Sequence, residues 1–418
     1  MTKIAHTEAK QLAQQYGTPL FVYDEKMLCA KMDDFTKYFQ SDAIETGVIY
    51  ASKAFCCKAM VQLAAQHGLY LDVVSGGELY TALKAGFDPE RIFFHGNNKT
   101  PQELSMALKN HVGTIVVDNR REALRLKELL ADSDTSVHVL LRINPGIEAH
   151  THKYIVTAHV DSKFGIALVQ EDEVIETIRI LQETNGIIFD GLHVHIGSQI
   201  FAQDAFTDTV KKVFGFAKHL QDAYQIDVHT VDLGGGFAAR YTDEDAPIPV
   251  KDVCQAILNA CTEANASLSA PVRRVMIEPG RSIVGEAGYT LYTVGSLKKT
   301  PNRHYIFVDG GMSDNIRPAL YQAKYDAVLD GKEDAPAADT YTIAGKCCES
   351  GDIIIDAIAL PEAEENDLLI VKTTGAYGYS MASHYNRMLM PAVVFAKDGD
   401  SRLVIRRETY DDLIALEV

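Results

Sequence analysis

Between residues 45 and 280 the sequence alternates short β-branched runs with longer segments whose apolar residues recur every three to four positions. This alternation is typical of parallel strands joined by helical crossovers. Eight strands are predicted, at 48–51, 71–74, 91–94, 114–117, 137–143, 187–195, 230–233 and 274–277. Eight is the number of strands in a closed (β/α)8 barrel, so we expect an α/β chain with a TIM barrel.

Reactive polar residues follow several of these strands. Lys53 comes after the first strand, His195 and Ser198 lie at the end of the sixth, and Glu278 comes after the eighth. In TIM-barrel enzymes the carboxyl ends of the strands carry the active site. Loops often begin with asparagine or glycine, but this does not explain a lysine, a histidine and a glutamate together. We therefore expect a catalytic mouth at this end of the barrel.

After residue 287 the sequence changes to short strand-like runs such as YTLYTVGSL, HYIFVDGG and DIIIDAIAL. These runs predict a second, C-terminal all-β domain, built as an antiparallel sandwich or barrel. The predicted boundaries are 29–286 for the barrel and 1–28 plus 287–418 for the β-rich domain. The N-terminal run TPLFVYD could add a strand to either domain, and the sequence leaves this open.

The net charge excludes two classes of partner. The chain has 40 Lys and Arg against 57 Asp and Glu, a formal net charge of −17. This surplus repels phosphate backbones and anionic lipids, so we expect no binding to nucleic acid or membranes. No apolar run approaches the roughly 18 residues of a membrane span, and the first residues lack the apolar stretch of a signal peptide. We expect a cytoplasmic location.

The seven cysteines are an odd number, with two adjacent pairs and no CxxC spacing. This pattern fits neither a disulfide framework nor a zinc site, so free thiols in a reducing compartment are expected. Cys347 and Cys348 stand in the run KCCESGD, where two acids follow them. From the residues alone, inert burial is the better interpretation of such a pair.

Lys53 and Glu278 suggest cofactor chemistry. A lysine directly after an apolar strand lies in partly desolvated surroundings, which lower the pKa of an ammonium and leave an amine suited to Schiff-base formation. Glu278, in MIEPGRSIVG, could hold a pyridinium N–H, and Arg281 could grip a phosphate or a carboxylate. A structural ion pair between Glu278 and Arg281 is the alternative.

Three glycines, 234–236, follow the seventh strand in VDLGGGF. They leave backbone N–H groups open to an anion, although the run is neither a dinucleotide fingerprint nor a P-loop. His193 and His195 alternate along one strand and therefore share a face. They could bind a metal, but no third ligand has a suitable spacing in the sequence, so stacking is at least as natural and no metal is expected.

Twelve motifs follow one another along the chain: YASKA, DVVSGGEL, HGNNKT, RINPG, AHTHKYIVT, DSKFGI, HVHIGSQ, LGGGF, EPGRSIVGEAG, DGGMSDNIRPALY, CESGD and GAYGYSMASHYN. With them the chain resembles the pyridoxal-phosphate-dependent decarboxylases that have an alanine-racemase-like barrel. Within this family it is similar to the diaminopimelate decarboxylases, for which HGNNKT, RPALY and CESGD are the more specific motifs. The resemblance covers nearly the whole chain.

The resemblance implies a cofactor, pyridoxal 5'-phosphate, and residues that bind it. Lys53 would hold the cofactor as an aldimine, His195 would stack on its ring, and Glu278 would keep the ring nitrogen protonated. The residues implied around its phosphate are Ser198, Gly235, Gly280, Arg281 and Tyr377.

The resemblance also implies a reaction, the decarboxylation of meso-2,6-diaminopimelate to L-lysine as the last step of lysine biosynthesis. Cys348 would protonate the carbanion and Glu349 would hold the distal amino group, both from the neighbouring subunit of a homodimer with shared sites. The residues implied to contact the substrate are Arg281, Arg317, Tyr321, Glu349 and Tyr377, with the arginines on the distal carboxylate.

Other functions on the same fold remain open. They are decarboxylation of ornithine, arginine, carboxynorspermidine or a D-amino acid, racemisation, and partner binding without catalysis. CESGD argues against a racemase, which uses a tyrosine as second base, and the presence of Lys53, Glu278 and Cys348 argues against a non-catalytic protein. Two departures from the family pattern are the second cysteine, Cys347, and the run YNRMLMPAV, which lacks the usual spaced basic residues.

Overall fold

The structure, a computed structural model, describes residues 1–146 and 162–418. The motif AHTHKYIVT and the first residue of DSKFGI lie outside the described residues. The chain divides into two compact units, which we call the barrel unit (32–238 and 247–280) and the sheet unit (1–31, 239–246 and 281–418).

The described residues contain the following elements. The strands are β1 (Lys3–Ile4), β2 (Thr7–Glu8), β3 (Leu20–Asp24), β4 (Glu45–Ala51), β5 (Tyr70–Val73), β6 (Ile92–Phe94), β7 (Thr114–Val117), β8 (Val137–Asn144), β9 (Ile166–Ala167), β10 (Ile187–His193), β11 (Thr230–Asp232), β12 (Arg274–Ile277), β13 (Gly288–Lys299), β14 (His304–Val308), β15 (Ala327–Leu329), β16 (Asp339–Ala344), β17 (Ile353–Leu360), β18 (Leu368–Val371), β19 (Ala392–Lys397) and β20 (Asp400–Ile405). The α-helices are α1 (Ala9–Tyr16), α2 (Glu25–Tyr38), α3 (Lys58–Gln66), α4 (Gly76–Ala85), α5 (Pro101–Lys109), α6 (Arg120–Leu130), α7 (Glu171–Gln182), α8 (Gln203–Tyr224), α9 (Val250–Asn265), α10 (Arg281–Val284), α11 (Arg317–Tyr321) and α12 (Tyr410–Ile414).

The barrel unit is a closed parallel barrel. Its strands follow the order β10, β11, β12, β4, β5, β6, β7 and β8, and pairing of β8 with β10 closes the ring. Every pairing between these eight strands is parallel. The prediction of eight barrel strands and a TIM-barrel fold is confirmed.

Side chains from several strands fill the barrel interior. Ile49, Phe93, Val116, Leu140 and Met276 form one buried cluster, each from a different strand. Burying a large apolar side chain contributes about 1.5–3 kcal/mol. The centre of the barrel is therefore a packed core, and chemistry is left to the ends of the strands.

Polar residues directly after the strands begin several of the helices. The side chains of Ser75 and Asn119 accept the backbone N–H groups of Glu78 and Glu122 and so cap α4 and α6. α5 begins at Thr100 with a complete capping box. The same short loops therefore end a strand, begin a helix and expose polar groups at the carboxyl end of the barrel.

The sheet unit is built on strands in the order β17, β16, β14, β13, β3, β19 and β20, with β18 and β15 branching from β13. The predicted C-terminal all-β domain is confirmed. The N-terminal run TPLFVYD contributes β3, which lies between β13 and β19. The prediction of a purely antiparallel arrangement is wrong, because β14 pairs with β16 and β3 pairs with β19 in parallel. Long connections separate both pairs in the sequence, and only such connections allow parallel pairing.

Two apolar clusters stabilise the sheet unit. One gathers Tyr292, Ile306 and Ile343 with their neighbours, and the other gathers Leu20 and Val394 with residues of α1.

Among the described residues, no helix has both the length and the apolar character that crossing a membrane requires.

Candidate active site

Lys53 lies at the carboxyl end of the barrel, in the single 3-10 turn Ser52–Ala54 that follows β4. Its Nζ is 3.7 Å from Oδ2 of Asp72, and the side chains are 35% and 1% exposed, respectively. Asp72 belongs to the neighbouring strand β5. Burial raises the pKa of Asp72, and the charges of His95 and Lys53 oppose that shift. A buried carboxylate therefore holds an amine that solvent can still reach.

Glu278 follows β12 and is almost completely buried. Nε2 of His95 and Nε2 of His193 lie 3.1 and 3.2 Å from its Oε1. Neither approach has the direction of a good hydrogen bond, so each is a close contact of a ring nitrogen with the carboxylate. Burial alone would raise the pKa of Glu278, but the two histidines hold it well below its ordinary value. Glu278 is therefore an anion in the barrel mouth.

Asp232, the last residue of β11, and Arg142, in β8, complete the charged groups around Glu278. Asp232 accepts the backbone N–H of Gly234 at 2.9 Å. Burial and the negative charge of Glu278 raise the pKa of Asp232 well above its ordinary value. Burial also lowers the pKa of Arg142, against the attraction of nearby carboxylates. The pKa values of the neighbouring acids Glu278 and Asp232 are therefore shifted in opposite directions.

His195 lies just beyond the end of β10. Its Nδ1 accepts the backbone N–H of Gly235 at 3.1 Å, so a neutral ring carries its proton on Nε2. Burial, together with the positive charges of Lys53 and Arg142, holds the pKa of His195 well below its ordinary value. A Cβ atom at Gly235 would lie 2.3 Å from the carbonyl oxygen of Glu278, so only glycine allows this loop to run so close to the next strand end.

The spacing in the sequence shows no third metal ligand near His193 and His195, whereas the structure brings four possible ligand groups together. His95, His193, Asp232 and Glu278 each offer one ligand atom, and these atoms lie within 4.8 Å of one another. Strands that are distant in the sequence bring their ends together at the mouth of a closed barrel. Spacing along the chain is therefore a poor guide to which side chains meet there.

In the sheet unit, Arg281 is the first residue of α10 and is almost completely buried. It donates a hydrogen bond to the hydroxyl of Tyr241, and its guanidinium carbon is 4.9 Å from the ring centroid of Tyr377. Tyr377 has a φ of +61°, which costs a non-glycine residue about 1–2 kcal/mol. The surrounding contacts must hold Tyr377 in this conformation.

Arg317, the first residue of α11, packs against tyrosine side chains of the same unit. Its guanidinium carbon is 5.4 and 5.5 Å from the ring centroids of Tyr321 and Tyr377, and its Nε donates to the hydroxyl of Tyr325 at 3.1 Å. Burial raises the pKa of Tyr325 to about 12, so this partner is neutral. In the parts of the chain that the structure describes, no carboxylate lies within ion-pair distance of Arg317, although only 5% of this residue is exposed. A buried cation with neutral partners is suited to an anionic ligand.

The loop 345–352 presents two adjacent cysteines differently. Cys347 is buried, and its backbone N–H donates to Oδ2 of Asp352 at 2.7 Å. Burial, with the charge of Asp352, raises the pKa of the Cys347 thiol. Cys348 is exposed, and its backbone N–H donates to Oδ1 of Asn386 at 2.6 Å. The neighbouring Glu349 is exposed as well. Of the two thiols, Cys348 is therefore the one that can reach a reactant.

The structure distributes the candidate residues over both units. The barrel unit carries Lys53, His195, Ser198, Gly235, Glu278 and Gly280, and the sheet unit carries Arg281, Arg317, Tyr321, Cys348, Glu349 and Tyr377. Within the sheet unit, Arg281, Arg317, Tyr321 and Tyr377 form one cluster.

Sequence reasoning missed two charged members of the barrel mouth, Asp72 and Arg142. Each stands inside an otherwise apolar strand, in YLDVV and LLRIN. A charged residue within a buried strand was the available signal, because such a residue needs a partner or a ligand. Tyr241 and Tyr325 were missed as well, and nothing in the sequence near either residue marks it.

Comparison with known proteins gives the family. A family model described as "Pyridoxal-dependent decarboxylase, pyridoxal binding domain" matches residues 26–285. The chain is 50% identical to the diaminopimelate decarboxylase of Bacillus subtilis over 419 aligned residues, which cover 100% of this chain and 95% of that protein. The chain belongs to the diaminopimelate decarboxylase family. The resemblance seen in the sequence motifs is confirmed.

Solved diaminopimelate decarboxylases share the fold over almost the whole chain. The enzyme of M. jannaschii in co-complex with L-lysine has a TM-score of 0.91 and 33% identity, covering 98% of this chain and 94% of that one. The Helicobacter pylori enzyme complexed with L-lysine has a TM-score of 0.88 and 32% identity, covering 98% of each chain.

The residues of the barrel mouth fit pyridoxal phosphate, the cofactor of this family. Within the described part of the chain, Oε1 of Glu278 and Oδ2 of Asp232 are buried without a hydrogen-bond partner, which leaves polar capacity for a bound group. An anionic carboxylate matches a protonated ring nitrogen, and the amine of Lys53 matches an aldehyde. In the sheet unit, the buried guanidinium group of Arg281 is by itself suited to a phosphate.

Proposed function

We propose that this chain decarboxylates meso-2,6-diaminopimelate to L-lysine and carbon dioxide with pyridoxal 5'-phosphate. The buried Arg317 guanidinium, which among the described residues contacts tyrosine side chains and pairs with no carboxylate, carries the choice of substrate. Diaminopimelate has a second carboxylate that such a group can bind, whereas ornithine and arginine have none. The names of the relatives point to the same substrate.

The barrel unit would hold the cofactor. When bound, pyridoxal phosphate supplies a conjugated ring that accepts the electron pair left as carbon dioxide departs. Lys53 would provide the amine that binds the cofactor covalently, and Asp72, 3.7 Å away, keeps that amine at the mouth. Glu278 would meet the ring nitrogen, and His195 would lie against the ring face. Ser198, Gly235 and Gly280 would bind the phosphate.

The sheet unit would hold the substrate and supply the proton. Arg281 and Tyr377 would contact both phosphate and substrate, and Arg317, with Tyr321, would grip the distal carboxylate. The thiol of Cys348 would transfer its proton to the carbon that has lost carbon dioxide. Glu349 would pair with the distal ammonium group.

Cys348 and Glu349 are proposed to serve the site of a second copy of the chain, so that a homodimer forms two shared sites. Both residues are exposed on the loop 345–352, which is compatible with a role outside their own subunit. The cytoplasm is the proposed location. All seven cysteines are free, as a reducing compartment keeps them.

The activity is tested by measuring carbon dioxide release from a panel of diaminopimelate, lysine, ornithine and arginine with cofactor-loaded protein. We expect release from diaminopimelate, with L-lysine as the product, and at least about 100-fold less from the other three, because each lacks the distal carboxylate. A preference for ornithine or arginine would contradict the proposal.

The shared site is tested by mixing two inactive variants, Lys53→Ala and Cys348→Ala. If each site takes residues from both subunits, mixed dimers regain one intact site, and about a quarter of the wild-type activity returns after subunit exchange. Mixed dimers without activity would show that each subunit works alone. In the matched control, Lys53→Ala is mixed with Cys347→Ser, a variant of the adjacent cysteine, in place of Cys348→Ala.

A further inference from the structure

Three carboxylates meet at the barrel mouth, and they cannot all be ionised. Asp72, Asp232 and Glu278 are buried, and like charges at short range in a medium of low dielectric constant repel strongly. Burial raises the pKa values of Asp72 and Asp232. Of the three acids, only Glu278 has a pKa below its ordinary value, so its surroundings must differ from those of the other two.

The difference lies in two histidines. His95 follows β6 and His193 ends β10, while Glu278 follows β12, so the contacts cross the mouth between strands that are not neighbours. Both Nε2 atoms converge on the single atom Oε1 of Glu278, at 3.1 and 3.2 Å. The two rings pack edge to face with centroids 4.8 Å apart and an interplanar angle of 68°, which fixes each ring against the other.

These histidines have no competing task. Among the described residues, neither ring nitrogen of His193 makes a hydrogen bond, and neither does Nε2 of His95. A buried histidine that serves packing alone ordinarily has its nitrogens satisfied by backbone or side-chain partners. Here the nitrogens are left facing a carboxylate, and His193 is neutral because burial lowers its pKa to about 3.

Resting on the function proposed above, we propose that His95 and His193 are positioning residues that hold the carboxylate of Glu278 in place to meet the ring nitrogen of the cofactor. They act through Glu278 and do not touch the reacting atoms. Arg281 and Arg317, in the sheet unit, would bind anions. The carboxylate of Glu278 would instead match the positive charge of a protonated ring nitrogen.

Other charged groups face Glu278 from the surrounding strands, and the test has to allow for them. They are Asp72 on β5, His95 after β6, Arg142 on β8, His193 on β10, Asp232 on β11 and His195 beyond β10. Substitution of a histidine by phenylalanine keeps an aromatic ring in the edge-to-face pair and removes only the nitrogens.

The experiment measures the affinity of the apoprotein for pyridoxal phosphate by absorbance titration, together with the pH dependence of the bound cofactor's absorption band. We expect His193→Phe and His95→Phe each to weaken cofactor binding about tenfold or more and to shift the pH dependence of the band. His193→Gln, which retains an N–H donor, should bind within about threefold of the wild type. At saturating cofactor, kcat should fall while KM for diaminopimelate stays unchanged.

The matched control is His138→Phe. His138 also pairs with a carboxylate, Asp190, at 2.7 Å, but it lies at the amino end of β8, opposite the mouth. It should leave cofactor affinity and the absorption band unchanged. If His193→Phe and His95→Phe fail to fold, the comparison of His193→Gln with His193→Asn decides, since the shorter amide cannot reach Glu278 and should lose affinity.

Three results would overturn the inference. The first is wild-type cofactor affinity and an unchanged band in both phenylalanine variants. The second is equal affinity of the glutamine and asparagine variants. The third is a tetrahedral cobalt spectrum when Co2+ is added to the apoprotein, which would make the four side chains a metal site instead. Wild-type protein that binds the cofactor but releases no carbon dioxide from diaminopimelate would refute the proposed function and leave the affinity comparison intact.

Discussion

The two units differ in the charged side chains that they bury. The barrel mouth surrounds Lys53 and Arg142 with three buried carboxylates and two histidines. The sheet unit buries two arginines, Arg281 and Arg317, among tyrosines. A cluster of acids and imidazoles can hold a cation and distribute protons, whereas guanidinium groups on aromatic faces are suited to carboxylates and phosphates. The comparison therefore separates a barrel mouth rich in buried carboxylates from a sheet-unit cluster of buried guanidinium groups.

The difference also follows from how each unit is built. In the barrel, strands from distant parts of the sequence end at one place, and side chains that are unremarkable alone become a cluster. In the sheet unit, each arginine begins a short helix and packs on nearby tyrosines. Electrostatic function thus arises from convergence of strands in one unit and from local aromatic packing in the other.

The largest effect is expected for Lys53→Ala in the barrel mouth. Loss of the amine should abolish the covalent link to pyridoxal phosphate that borohydride traps, and should lower activity about 1000-fold or more. Mass spectrometry after borohydride reduction measures the link. Lys58→Ala, at an exposed position of α3, is the matched control and should keep both properties. A reducible link that survives in Lys53→Ala would assign the cofactor to another amine.

In the sheet unit, Arg317→Met should raise KM for diaminopimelate about 100-fold, because truncating a buried charged contact costs about 2–5 kcal/mol. Steady-state kinetics measure this, and the affinity for pyridoxal phosphate should not change. Arg303→Met removes an exposed arginine of the same unit, paired with Asp356, and should leave KM unchanged. An unchanged KM in Arg317→Met would remove the anion-binding role from this cluster.

The smallest effect concerns pH and stability. Burial lowers the pKa of His193 to about 3, so the unfolded state binds the extra proton between about pH 6.5 and 3, and stability falls as pH falls through this window. Asp190 raises the pKa of His138, so its contribution is present below about pH 6.5 and is lost as pH rises through the higher folded-state pKa.

Melting temperatures of His193→Gln and His138→Gln between pH 5 and 8 test these opposite signs. Relative to wild type, His193→Gln should gain about 2–4 °C on acidification, and His138→Gln should lose a smaller amount. Parallel pH profiles of the two variants would show that the barrel mouth does not keep His193 neutral.

Much of the fold was predictable because hydrophobic periodicity depends on local sequence. The eight barrel strands and most strands of the sheet unit were predicted from this signal, but the short strands β1, β2 and β15 were not. The position of β3 was not predictable, because its apolar run fits either unit and only pairing with β13 and β19 decides the matter. The parallel pairs of the sheet unit were missed for the same reason, since strand order is a non-local property.

The candidate site divides in a similar way. Lys53 and Glu278 could be found from their places after strands, and the motifs supplied the cofactor and the reaction. The contact of His95 and His193 with Glu278 could not be found, because Glu278 lies 85 positions after His193 and 183 positions after His95. Spacing along the chain carries no information about distance across a barrel.

By itself the sequence determined the local structure, the family and the identity of the reactive side chains, because periodicity, strand-end positions and motifs are all readable along the chain. Tertiary structure alone decided in which direction the pKa of each buried group is shifted. The pKa of Glu278 is lowered and that of Asp232 is raised because of the groups that burial and the closed ring of strands place around each one. A pKa depends on distances in space, and these exist only after the barrel has closed.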